Sequence, residues 1–108
     1  MKPETSVRPG SDHTWVEAQF AARIGRRQLL IEELKLQVHL STRQVRDRVA
    51  PLLKKVELDL RHAKAELRQL DESGEDDRPR IQQALEQTLH DLEESLEEAR
   101  RSSERSED

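Results

Sequence analysis

Two runs of apolar residues mirror each other across one acidic loop, and this mirror constrains the fold more than any other feature of the chain. From Val49 the apolar positions are Val49, Leu53, Val56, Leu60, Ala63, Leu67 and Leu70, spaced alternately four and three residues apart. That alternation lays a single apolar seam along one side of a helix. The same alternation returns at Leu85, Leu89, Leu92, Leu96 and Ala99. Folding the second run back on the first pairs Leu67 with Leu85, Ala63 with Leu89, Leu60 with Leu92, Val56 with Leu96, and Leu53 with Ala99. The fold-back point implied by those pairs is residue 76. It falls inside Ser73-Gly74-Glu75-Asp76-Asp77, which turn chemistry picks independently. An antiparallel helical hairpin follows.

Composition agrees with an all-α chain of narrow core. Charged residues make up 39% of the 108, against about 25% in an ordinary domain. Tyr is absent, and Phe and Trp occur once each. Helix formers such as Leu, Ala, Glu, Gln and Arg dominate, while strand formers are scarce. There are no cysteines, which removes disulfides and thiolate metal sites. The longest strongly apolar run, Leu29-Leu30-Ile31, is far short of the ~20 residues that span a bilayer. The N-terminal residues show no apolar signal core, so the expected location is cytoplasmic.

The sequence predicts a flexible arm over 1–13, a helical domain over 14–101 and a disordered acidic tail over 102–108. Thr14-Trp15-Val16-Glu17 reads as a capping box opening the first helix. The row Ile24, Ile31, Val38, Val45, Leu52 keeps a spacing of seven, and residues 36–48 hold no Gly, Asn or Pro. Helix–helix turns usually use one of those residues. The expectation is therefore one long kinked helix over about 14–71, a loop over 72–77 and a shorter antiparallel helix over about 78–101. Pro51 would kink the long helix from within. Gly74 would close it in the left-handed conformation, and Asp76 or Asp77 would cap the next helix. A three-helix bundle, broken at the Ser41–Gln44 capping signal, is the alternative.

The N-terminal half of the long helix is amphipathic twice over. At about 100° per residue, Val16, Phe20, Ile24, Ile31, Leu34 and Val38 share one face. Trp15, Ala22, Leu29 and Leu36 recur every seven residues on the opposite face, joined by Ala18 and Leu40. One stripe can pack on a neighbour; two opposed stripes call for two. Trp15, Ala22, Leu29, Leu36 and Leu40 are accordingly the candidate partner-binding residues.

Charge is segregated along the chain. Nine basic and three acidic residues lie between Arg23 and Lys55, whereas everything beyond Lys55 is strongly acidic. A solvated charged surface explains this, as would an assembly in which the basic middle of one chain meets the acidic end of another. The stretch Arg43, Arg46, Arg48, Lys54, Lys55 lacks the aromatic residues and motifs of a nucleic-acid reader. His13, His39, His62 and His90 are scattered without ligand spacing, so no metal is expected. The three glycines stand alone and form no phosphate loop. Paired carboxylates such as Glu93-Glu94 read as helix-surface charge.

The expected function is thus a non-enzymatic helical protein-interaction or oligomerisation module without cofactors. Its expected partner is protein, first of all itself as a homodimer or higher oligomer. The alternative is a peripheral surface binder whose amphipathic helix lies on lipid or polymer, with a nucleic-acid-associated regulator ranked behind both.

Overall fold

The computed structural model describes the backbone of residues 9–105 and the side chains of residues 15–105. Residues 1–8 of the expected arm and residues 106–108 of the expected tail lie outside the described residues. The chain forms three helices: α1 (Pro9–His39), α2 (Arg43–Glu72) and α3 (Arg78–Glu104). They make an up-down-up bundle of 66 × 27 × 16 Å with a radius of gyration of 17.9 Å. A compact domain of about 100 residues would have a radius near 13 Å. The bundle is a rod because each helix is long and its core is only one layer of side chains thick.

The α2–α3 hairpin has the register read from the seam. Val49, Val56, Ala63 and Leu70 of α2 are buried against Ile81, Leu85, Leu89, Leu92, Leu96 and Ala99 of α3. Leu53, Leu60 and Leu67 pack at the margin of this core. Polar contacts bracket the layers at matching heights. Ser95 Oγ donates to Asp59 Oδ2 at 3.2 Å, and Arg48 Nε donates to Ser102 Oγ at 3.1 Å. α2 continues unbroken through Pro51.

The expected long helix is interrupted. α1 stops at His39 and α2 starts at Arg43, so the alternative three-helix arrangement is the one formed. The turn needs no glycine because side chains take the orphan carbonyls that a helix end exposes. Ser41 Oγ donates to the Gln37 carbonyl at 2.7 Å. Arg46 Nη1 donates to the carbonyls of His39 and Ser41 at 3.3 and 2.9 Å. Thr42, extended at φ −66° and ψ 163°, caps α2 by accepting the Val45 amide at its hydroxyl. Val38 and Val45 are both buried on the two sides of the turn. They close one end of the core together, which is why the seven-residue row survives a chain reversal.

Other boundaries also move. α1 begins five residues before Thr14, which is therefore inside a helix rather than capping it. Glu17, the supposed partner in that capping box, instead pairs with Arg78 at 2.9 Å. α2 is closed by Ser73 in an extended conformation, its amide and hydroxyl both donating to the Leu70 carbonyl. Gly74 does not take a left-handed backbone. Asp77 is the N-cap residue of α3 with Pro79 in the first turn, but its carboxylate faces Arg80 rather than an amide. At the other end, residues 102–104 are helical. Ser102 is buried, with its hydroxyl and carbonyl taken by Arg48.

Candidate functional site

α1 lies across the hairpin, antiparallel to α2 and parallel to α3. Its inner face carries Phe20, Ile24, Ile31, Leu34 and Val38, all buried. Charge fixes its height against α3. Arg23 reaches Glu86 at 3.1 Å and Glu93 at 3.6 Å, while Arg27 reaches Glu93 at 2.9 Å. On the α2 side Lys35 meets Glu57 at 2.8 Å. The hydrogen bond to Glu57, and then the charge of that carboxylate, hold the Lys35 ammonium above its ordinary value of 10.5.

These pairs resolve a conflict in the hairpin. The register brings Glu57 and Glu93 toward one layer, which on two helices alone is unfavourable. α1 supplies a cation to each. They also pair three cations of the basic stretch, Arg23, Arg27 and Lys35, with acidic residues of their own chain.

The outer face of α1 is the site the sequence singled out, and the bundle leaves it uncovered. Trp15 is 62% exposed, Leu29 67%, Leu36 60% and Leu40 75%, and Ala22 is exposed as well. At about 100° per residue Leu29 points opposite the centre of the buried stripe. The five positions form one nearly straight row along α1. Ala18 and Gly25 lie beside its N-terminal half, so that half is low and the half from Leu29 to Leu40 is raised. A Cβ built on Gly25 would meet nothing within 4 Å.

The sequence reading passed over two charges beside this row. Arg26 and Glu33 both follow a row position by four residues, on the same flank and seven residues apart. Both are exposed, and neither forms an ion pair or hydrogen bond with any described residue. Their common spacing was a readable signal. By contrast Glu17, Arg23 and Arg27 are occupied within the bundle.

Among the described residues no group of three or more His, Cys, Asp or Glu could hold a metal ion. His90 meets Glu94 of its own exposed helix surface at 3.2 Å. No helix of the described residues is long and apolar enough to cross a membrane. No protein-family model matches the chain, and neither a curated protein nor a solved structure does.

Proposed function

We propose that this chain is a non-enzymatic interaction module whose binding surface is the outer face of α1, and that its first partner is a second copy of itself. One observation carries the reading. After three helices have folded and Phe20, Ile24, Ile31, Leu34 and Val38 of α1 are covered, a row of three leucines and the chain's single Trp still faces solvent. In a chain with one Phe and no Tyr, that is where much of the remaining apolar surface is concentrated. Contiguous exposed apolar residues on a helix face mark a docking surface more often than scattered ones do. The row suits another helix, because its residues recur every seven positions as a helix-pairing seam requires.

A lipid or polymer surface is less well served by this face. Helices that lie on anionic membranes carry Lys and Arg along the apolar stripe. Here the outer flanks hold Arg26 against Glu32 and Glu33, giving no basic border.

The test is the molar mass in solution from micromolar to several hundred micromolar chain, by sedimentation equilibrium. A mass that rises to twice that of the 12.6 kDa chain supports the reading. A mass that stays at one chain across the range, with binding to anionic vesicles instead, replaces it with the surface-binding alternative.

A further inference from the structure

Resting on self-association through α1, the pattern of this face also sets its geometry. We propose that two copies of α1 pair antiparallel, with the two-fold axis passing beside Leu29. The argument starts from size. The low half of the row, Ala18 and Ala22, precedes Leu29, and the raised half, Leu36 and Leu40, follows it. An antiparallel partner centred on Leu29 sets Ala22 against Leu36 and Ala18 against Leu40, each twice by symmetry. Large side chains then meet small ones on either side of the axis, where the two Leu29 side chains meet each other. A parallel pair would set Leu36 on Leu36 and Leu40 on Leu40, and would leave Ala22 facing Ala22 and Ala18 facing Ala18 across a gap. Facing layers pack well when large and small residues alternate, and voids between them are unfavourable.

Charge selects the same arrangement independently. In a two-fold antiparallel pair a given flank of one helix meets the same flank of the other. Arg26 and Glu33 share one flank, and the axis beside Leu29 brings Arg26 of one copy next to Glu33 of the other, again twice. Both are exposed and have no ion-pair or hydrogen-bond partner among the described residues. On the opposite flank Glu32 falls over Gly25 of the other copy, where no Cβ stands and no acid opposes it. In a parallel pair, flanks of opposite kind meet, and Arg26 would face Ala21 or Gln28. Nothing would answer its charge. Trp15 extends beyond the partner's Leu40 and covers the turn at Ser41 and Thr42.

The experiment combines charge exchange with crosslinking, using the absence of native cysteine. Arg26→Glu and Glu33→Arg, each alone, place like charges at both symmetric contacts and should weaken dimerisation about tenfold. The double exchange R26E/E33R should restore it to within about threefold of the starting protein. A22C and L36C, mixed and oxidised, should crosslink to each other. Neither should crosslink to itself, since 14 residues along a helix separate like positions by roughly 21 Å. A dimer in which L36C crosslinks to itself, or in which the double exchange stays as weak as the single ones, overturns the antiparallel arrangement while leaving self-association standing. A protein monomeric at every concentration overturns both.

Discussion

The guanidinium of Arg78, at the first position of α3, is buried and sits 2.9 Å from the carboxylate of Glu17 in α1. The same nitrogen donates to the Leu70 carbonyl at the end of α2, also at 2.9 Å. One side chain therefore ties all three helices together at one end of the rod. The rod is only one core layer thick, so its ends are where the helices splay most easily. Arg78→Met keeps much of the aliphatic bulk but strands a Glu17 carboxylate that is itself mostly covered. It should cost about 2 kcal/mol, a fall of roughly 10 °C in the melting midpoint for a domain of this size. Arg78→Lys should recover only part, because an ammonium cannot reproduce the fixed fork of the guanidinium. A thermal melt of R78M, E17Q and the double variant checks the coupling; additive losses would show that the pair contributes nothing.

At the opposite end the turn between α1 and α2 depends on Thr42. Thr42→Ala removes the hydroxyl that accepts the Val45 amide, and should cost about 1 kcal/mol, as N-cap losses do. Thr42→Pro should be similarly mild. Its φ of −66° is a value proline adopts, and it precedes the helix. Inside a continuous helix the same proline would cost about 3 kcal/mol. Denaturant melts with far-ultraviolet circular dichroism distinguish the two, and a large loss of helicity in T42P would contradict the turn.

That turn is also where the sequence was hardest to read. The hairpin was legible because its register depends on apolar spacing alone, and Ala63, Leu85 and Leu89 leave no other layer to occupy. The break at residues 40–42 was concealed for two reasons. Its carbonyls are satisfied by Ser41 and by Arg46, a residue four positions into the next helix, instead of by a left-handed glycine. And Val38 and Val45 remain in heptad phase because both face the same end of the core. Ser41 and Gln44 marked the right place, although the cap is Thr42. The start of α1 was misread because Thr14 and Glu17 match a capping box by spacing, while Glu17 is drawn to Arg78, sixty-one residues away. The outer row of α1 was legible because it concerns one helix only.

The hairpin register gives a covalent test. Ala63 and Leu89 are both fully buried in the seam, and the contacts Asp59–Ser95 and Arg48–Ser102 bracket the layers to which they belong. Cysteines at 63 and 89 should oxidise within one chain at high yield. Moving the second cysteine one turn, to Leu85, shifts it about 6 Å along the axis, beyond the narrow range a disulfide accepts. Higher yield from the shifted pair would place the register one turn away.

Lys35 makes stability depend on pH at the alkaline end. Its ammonium is favoured in the folded chain by Glu57, so its proton is held more tightly there than in the unfolded chain, where the ordinary value is 10.5. The contribution is fully present below that value and is lost as pH rises through the raised one. The pair is partly exposed, and solvent screening limits it to about 0.5 kcal/mol. Lys35→Met should lower stability slightly at pH 8 and should flatten the decline measured above pH 10.5. An identical alkaline decline in both proteins would assign the effect to other groups.

Leu29 and Ile31 are two residues apart and face opposite ways, which lets fold and association be separated on one helix. Ile31 is 1% exposed, on the inner face of α1 against the hairpin helices. Ile31→Ala should cost roughly 2–5 kcal/mol, the transfer of the lost methyl groups plus the cavity they leave. Leu29→Ala removes similar bulk from a surface position, and in the monomer it should change stability by less than about 0.5 kcal/mol. Its effect should appear in the dimer, where the Leu29 side chains would each bury most of their surface and contribute about 1.5–3 kcal/mol. Extending this to Leu29→Lys with Leu36→Lys should leave circular dichroism and the monomer melt nearly unchanged while abolishing the rise in mass with concentration, since a buried ammonium without a partner is costlier than a cavity. A double variant that still dimerises would move the interface off this face. One that unfolds would mean that the outer row, exposed as it is in the single chain, is needed for the bundle itself.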